Sequence, residues 1–279
     1  MILYPNAKIN LGLSVLSKRE DGFHNLETLF YPVEARDVLE IVESNGLTMH
    51  QYGIEYPGDP MDNLCVKAYK ALKKDFDIPP VDIHLYKKIP VGAGLGGGSA
   101  DAAFTLRGLN EMFSLNLPDS TLAEYAARLG SDCAFFVYNR PMLGTGRGEV
   151  LEPVEVPALE GYEIKLVYPP YFVSTAAAYG GIVPRSRWAE MGWEEDSRSI
   201  MEILAQPVEC WKDSLVNDFE RTVFAKIPEL AAYKDELYAQ GAVYASMSGS
   251  GSAFFGIFKK EKERKKGNPL LPSETPFLD

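Results

Sequence analysis

Apolar and polar positions follow a period of two in some stretches of the chain and a helical period in others. Ile9, Leu11, Leu13 and Val15 fall on alternate positions, a polar turn occupies residues 18–22, and apolar character resumes over 26–33. This predicts strands across residues 1–43 with a hairpin at the turn. Val81, Ile83, Leu85 and Ile89 alternate with Asp82, His84, Tyr86 and Lys88, the signature of a half-buried strand. Ala102, Leu106, Leu109 and Phe113 then recur at i, i+4, i+7 and i+11, which predicts a helix with one apolar stripe, beginning near Ser99. Two more helices are predicted: one capped by Asp62 and running to about residue 76, the other over 121–129 with Gly130 as its stop. A strand at 162–167 and a small-residue loop at 245–253 entering an apolar strand mark the C-terminal half.

Between the strand at 81–89 and the helix that follows lie five glycines within seven residues: Gly92, Gly94, Gly96, Gly97 and Gly98. Without a Cβ, successive backbone N–H groups turn toward a single anion, and the helix start adds unpaired N–H groups and the positive end of its dipole. The order strand, glycine loop, helix reads as a phosphate cradle, with a close-packing turn as the plainer alternative. Gly92-x-Gly94-x-x-Gly97 formally matches the dinucleotide fingerprint. Pro90 breaks the strand directly before the turn, the unit does not open a βαβαβ half, and no Gly-Lys-Ser/Thr follows, so neither that fingerprint nor a P-loop fits.

A length of 279 residues suits one large or two modest domains, and the proline-rich stretch near 153–157 predicts a boundary: 1–152, 153–258, then a charged, solvated tail at 259–279. No apolar run approaches the roughly 20 residues that span a bilayer, and the N-terminus lacks a basic region leading into a long apolar segment. Three cysteines without metal-ligand spacing suit reduced thiols, and the expectation is a cytoplasmic protein. A formal net charge of −11 disfavours nucleic acid and makes any anionic ligand approach against the global field. Backbone N–H groups, a few lysines and a divalent cation are therefore implied, with the metal ligands left open.

Three segments in order, residues 5–11, 90–103 and 246–258, resemble the three motifs of the GHMP small-molecule kinases. Asp21-Gly22-Phe23-His24 followed by Glu27-Thr28, then Asp62-Asn63-Leu64, Gly130-Ser131-Asp132 and residues 144–149, are similar to one branch of that superfamily, which acts on a cytidine-diphosphate-linked methylerythritol. The resemblance implies an α+β fold of two parts: an N-terminal domain with a left-handed β-α-β unit and a C-terminal antiparallel sheet with helices. It implies transfer of the γ-phosphate of ATP, with Mg2+, to the 2-hydroxyl of that alcohol in the non-mevalonate route to isoprenoids. It also implies a small-molecule partner, no nucleic acid or membrane, and a monomer or weak homodimer.

The same resemblance assigns roles. Asp132 becomes the general base and Lys8 its neighbour, which orients the acceptor oxygen and steadies developing negative charge. Read alone, Asp132 is first a helix N-cap and Lys8 an exposed edge-strand charge. Pro90, Gly92, Gly94, Leu95, Gly96, Gly97, Gly98, Ser99 and Ala100 fall to the ATP phosphates, Asn63 and Lys87 to the adenosine side. Phe23 and Tyr179 are expected to sandwich the cytosine while His24 reads its edge, with Asn10 and Thr175 for ribose or diphosphate. On sequence alone Phe23 is also a hairpin-tip aromatic and His24 a surface histidine. Ser250 and Gly251 close over the phosphates or simply pack. Two features depart from the pattern: Ala100 stands where many relatives carry a second serine, and Cys133 follows the presumed base. Residues 185–199, with Trp188 and Trp193, match nothing in the family and read as a lid or a packed insertion.

Three other readings compete: a GHMP kinase of another substrate such as mevalonate or homoserine, an ATP-dependent decarboxylase of the same superfamily, and a ligand-binding regulator without catalysis. The retained Lys8 and Asp132 weigh against the last.

Overall fold

The computed structural model describes residues 1–55, 58–193 and 198–260. After a short β1 (Ile2–Leu3), the N-terminal alternation becomes a hairpin of two long antiparallel strands, β2 (Asn6–Lys18) and β3 (His24–Arg36). The polar turn closes it, with Arg19 N donating to Phe23 O at 2.8 Å. Next come β4 (Val38–Glu43), β5 (Thr48–Gly53), α1 (Leu64–Asp75) and β6 (Val81–Lys87). One sheet has the order β1-β4-β6-β5; β5 and β6 run parallel with α1 in the connection, a β-α-β unit.

Helices α2 (Gly97–Met112), α3 (Asp119–Ala127) and α4 (Cys133–Tyr138) follow, then β7 (Met142–Thr145) and β8 (Val150–Pro153), which extend the hairpin into a sheet of order β2-β3-β7-β8. The C-terminal half holds β9 (Tyr162–Val167), α5 (Thr175–Tyr179), α6 (Ile200–Leu204), α7 (Asp218–Lys226), α8 (Glu229–Ala239), β10 (Tyr244–Met247) and β11 (Phe254–Lys259). Its three strands form an antiparallel sheet of order β10-β11-β9.

Several boundaries move for local reasons. Helix α1 is capped by Asn63, whose Oδ1 accepts from Cys65 N at 2.8 Å, because Asp62 is spent in a short 3-10 turn before it. Helix α2 starts two residues ahead of Ser99, since Gly96 adopts the left-handed conformation (φ 70°) and serves as the N-cap.

One core lies between the first sheet and α1 to α4, with Ile41, Ile83, Leu85 and Leu106 fully buried. The other two clusters cross the expected boundary. Ile9 and Leu11 of β2 pack with Trp211, Tyr244 and Phe255, while Leu13 and Val15 pack with Phe219, Leu237 and Phe254. The N-terminal half thus encloses one core of its own, and the C-terminal half shares its hydrophobic interior with β2 and β3. The first ten residues of β2 are buried on both faces: Ile9 and Leu11 face the C-terminal half, while Lys8, on the alternate face, lies against the Phe30 ring and the glycine loop, so Lys8 and Asn10 lie inside the protein instead of at an exposed edge. In the insertion, Arg221 of α7 lies between Trp193 and Trp188, 3.8 Å and 4.8 Å from their ring centroids, and Trp188 is buried. That part is a packed insertion; residues 194–197, and the tail from 261 onward, lie outside the described residues.

Candidate active site

Strand β2 carries Lys8 into the interior, where its ammonium donates to Asn10 Oδ1 at 2.6 Å and to Gly94 O at 3.1 Å and stands 3.3 Å from Asp132 Oδ2. Three partners match the three N–H bonds of an ammonium. Asn10 is fixed in turn by donation to Thr28 Oγ1 at 2.9 Å, and Thr28 donates to Gly12 O at 2.6 Å. Asp132 occupies the N-cap position of α4, yet its side chain makes no capping bond. The carboxylate turns to Lys8 instead, partly open to solvent, and the capping alternative is set aside. Burial pushes the neighbouring Cys133 thiol up to about 11, so it brings no charge to the site near neutral pH.

The glycine loop lies against the third motif. Ser248 Oγ donates to Gly94 O at 2.9 Å and Ala253 N to Ala93 O at 3.0 Å, so the loops of the two halves fix each other. Gly96 offers no side chain to cap α2, leaving the N–H groups of its first turn for an anion.

A cavity of about 630 Å³ opens above these groups. Lys8, Asn10, Asp132, Gly92, Gly94 and Gly96 line it together with Phe23, His24, Thr175, Tyr179 and Ser250. His24 stacks on Tyr179, ring centroids 5.0 Å apart and planes 21° from parallel, while Phe219 meets Tyr179 edge-on at 4.8 Å. Phe23 and Tyr179, expected to sandwich the cytosine, both line the cavity, and the His24 ring covers one face of Tyr179. Phe23 is exposed and lies under the Arg147 guanidinium, 5.0 Å from its ring centroid. Burial, with Lys18 adding to it, lowers the His24 pKa and favours the neutral ring.

The remaining expected residues sit elsewhere. Lys87, assigned to the adenosine side, has its ammonium sealed beneath the loop, donating to Asp37 Oδ2 at 2.5 Å and Asp101 Oδ2 at 2.7 Å. A buried cation without counter-charges would be prohibitively costly, and this pairing leaves no free ammonium for a ligand. Burial alone would lower the Lys87 pKa, but the two carboxylates outweigh it and raise it. Burial, together with the Asp37 charge, raises Asp101 to about 7 against the pull of Lys87. Leu95 and Ala100 are buried and offer only backbone; Gly97 faces Ile89 and Lys87. Pro90 borders a separate cavity of about 270 Å³ with Tyr168 and Phe172. Asn63 is engaged as the α1 cap, while Gly98 is open and the Ser99 hydroxyl reaches the Cys133 thiol. Thr28, Phe30 and Arg147 line the main cavity without having been singled out; only Arg147, flanked by Gly146 and Gly148, carried a sequence signal for a presented side chain.

The family described as GHMP kinases N terminal domain matches residues 63–140, and that described as GHMP kinases C terminal matches residues 200–267. A protein of Bacteroides fragilis named 4-diphosphocytidyl-2-C-methyl-D-erythritol kinase is 51% identical over 270 residues, covering 95% of each chain. One of the same name from Bacteroides thetaiotaomicron is 52% identical, covering 94% of this chain and 93% of that one. A crystal structure of 4-(cytidine 5'-diphospho)-2C-methyl-D-erythritol kinase superposes with a TM-score of 0.78 at 33% identity, over 92% of this chain and 90% of that one. A homoserine kinase from Cytophaga hutchinsonii, at a TM-score of 0.64 and 19% identity, shares the fold. With both halves matched by family and half of all positions identical across nearly the full length, the chain belongs to the GHMP kinases.

Proposed function

We propose that this kinase transfers the γ-phosphate of ATP to the 2-hydroxyl of 4-diphosphocytidyl-2-C-methyl-D-erythritol, a step of the non-mevalonate route to isoprenoid precursors. The observation that carries the reading is the Lys8–Asp132 pair, 3.3 Å apart, in one cavity with the glycine loop and the aromatic cluster of Phe23, His24 and Tyr179. Phosphoryl transfer asks the protein for alignment and charge neutralisation more than for covalent help. Asp132 takes the proton of the acceptor hydroxyl as its oxygen bonds to the γ-phosphorus and ADP departs with the electrons of the broken P–O bond. Lys8, held by Asn10 and Gly94 O, fixes the Asp132 carboxylate and offers positive charge to the forming oxyanion. The loop N–H groups receive the phosphates.

Among the described residues no group of three His, Cys, Asp or Glu side chains is placed to hold a metal. Mg2+ asks for less, being held largely by phosphate oxygens and water with one or two protein oxygens, and the Ser99 hydroxyl in the first turn of α2 is the group that fits. Bound there with ATP, it would neutralise charge on the phosphate oxygens.

The test is a coupled ADP-release assay offering the cytidine-diphosphate alcohol, mevalonate and homoserine side by side. Turnover confined to the first supports the reading; a preference for either of the others replaces it.

A further inference from the structure

The cytidine-linked substrate carries a diphosphate, and in a protein of net charge −11 a local basic side chain near it would offset the unfavourable global field. Three basic side chains line the cavity. The three N–H bonds of Lys8 are committed to Asn10, Gly94 O and Asp132, and His24 is held toward its neutral form by burial. Arg147 remains. Its Nε meets Glu149 Oε1 only at 3.4 Å, and the terminal guanidinium nitrogens have no protein partner among the described residues.

The backbone presents this side chain deliberately. Arg147 sits at the tip of the β7–β8 turn between Gly146 (φ 69°) and Gly148 (φ 102°), conformations that favour glycine. Leu26 N donates to Gly146 O at 2.6 Å, Gly148 N to Thr145 O at 3.0 Å and Arg147 N to Glu149 Oε2 at 2.5 Å, so the turn is tied to the hairpin strand beside the aromatic cluster. The guanidinium lies over Phe23, 5.0 Å from its centroid, and its terminal nitrogens stay available as donors for a ligand. Planar forked donors suit phosphate oxygens bidentately.

We propose that Arg147 is the cation that receives the diphosphate of the cytidine-linked substrate; the inference rests on the reading above and adds a residue to it. Arg147 then anchors the charged middle of the substrate while the aromatic cluster takes the base and the Lys8–Asp132 pair takes the alcohol.

The experiment compares wild type, Arg147→Ala and Arg147→Lys in steady-state kinetics, with competition by cytidine and by cytidine diphosphate and a melting curve for each protein. Arg147→Ala is expected to raise KM for the cytidine-diphosphate substrate about 10- to 100-fold, the loss of a charged hydrogen-bond partner, with KM for ATP within about twofold of wild type. Cytidine diphosphate should lose inhibitory strength to the same degree, cytidine should keep its own, and Arg147→Lys should recover part of the loss. Equal weakening of cytidine and cytidine diphosphate overturns the proposal in favour of a brace for Phe23. A rise confined to KM for ATP assigns the side chain to the triphosphate and overturns it too. A wild type that phosphorylates the substrate while the Ala variant matches it sinks this inference alone; a wild type inert toward the substrate sinks the reading beneath it.

Discussion

Gly94 and Ser248 approach so closely that a Cβ on Gly94 would lie 2.0 Å from the Ser248 carbonyl oxygen, and Gly94 also holds a positive φ of 81°. Neither the clash nor the conformation yields to a side chain, because the obstacle is backbone. Gly94→Ala is therefore expected to lower stability by about 3–5 kcal/mol, by separating the phosphate loop from the third motif. Gly98 is the contrasting position, since its nearest contact would be Leu64 Cδ1 at 3.9 Å. Gly98→Ala should melt like wild type and lose ATP affinity if the loop cradles phosphate. Nucleotide titration beside a melting curve decides it; normal ATP binding by a folded Gly98→Ala would show that the open space beside Gly98 does not receive phosphate. Gly96 and Gly97 are poorer probes, because a Cβ there meets Phe136 at 2.8 Å and Ile89 at 2.9 Å.

Asp132→Asn keeps the shape of the side chain and removes the group that accepts the hydroxyl proton. Turnover should fall about 10²- to 10⁴-fold, with ATP affinity near wild type. Stability should fall by about 1–3 kcal/mol, because the carboxylate makes no capping bond with α4 but is the counter-charge of buried Lys8, which keeps only Asn10 and Gly94 O. Single-turnover kinetics with nucleotide titration supply the check. A variant that keeps its rate removes Asp132 as base, and one that melts early and loses ATP binding restores its structural role.

The loop and its helix were legible because glycine spacing and apolar periodicity are local signals, and β2, β6 and α2 appear where those signals lie. The burial of Lys8 was not. A period-two strand reads as half exposed, and the Lys8 face of β2 closes only when Gly94, 86 residues on, and Asp132 come to lie against the ammonium. Lys87 misled for a similar reason: its partner Asp37 lies 50 residues away, and nothing in the local pattern announces a buried triad. Phe23, His24 and Tyr179 were found by resemblance, but the covering of Tyr179 by His24 is a packing outcome that composition does not encode.

That stacking sets up the specificity prediction. A cytosine that stacks on the Tyr179 face covered by His24 displaces that ring and brings its nitrogens to the base edge. Tyr179→Ala should weaken the cytidine substrate by about 1–3 kcal/mol, one lost stacking face, without moving KM for ATP. His24→Ala should relax discrimination between the cytidine and uridine diphosphate forms, since stacking accepts either base while an edge hydrogen bond does not. Paired kinetics on the two substrates test both. Unchanged discrimination in His24→Ala would remove it as the reader of the base.

The last prediction concerns Asp101, whose Oδ2 accepts from Lys87 at 2.7 Å while Oδ1 is buried with no hydrogen-bond partner. Its carboxyl is raised to about 7, chiefly by burial and then by Asp37, above the value near 3.9 of an unfolded chain. The folded state therefore binds a proton more tightly than the unfolded one. By linkage, the stability from this group is fully present below about pH 4 and is lost progressively as pH rises through about 7. Lys87, raised above its usual value, contributes in a separate window, losing its share only well into the alkaline range. Asp101→Asn removes the titration while retaining an amide that fills the same space. Wild type minus variant should show a stability difference that falls between about pH 4 and pH 7 and is flat between about pH 7 and pH 9. Denaturant melts at intervals across that range measure it, and a difference independent of pH from 4 to 7 would show that Asp101 is ionised throughout, with Lys87 overcoming the cost of burial.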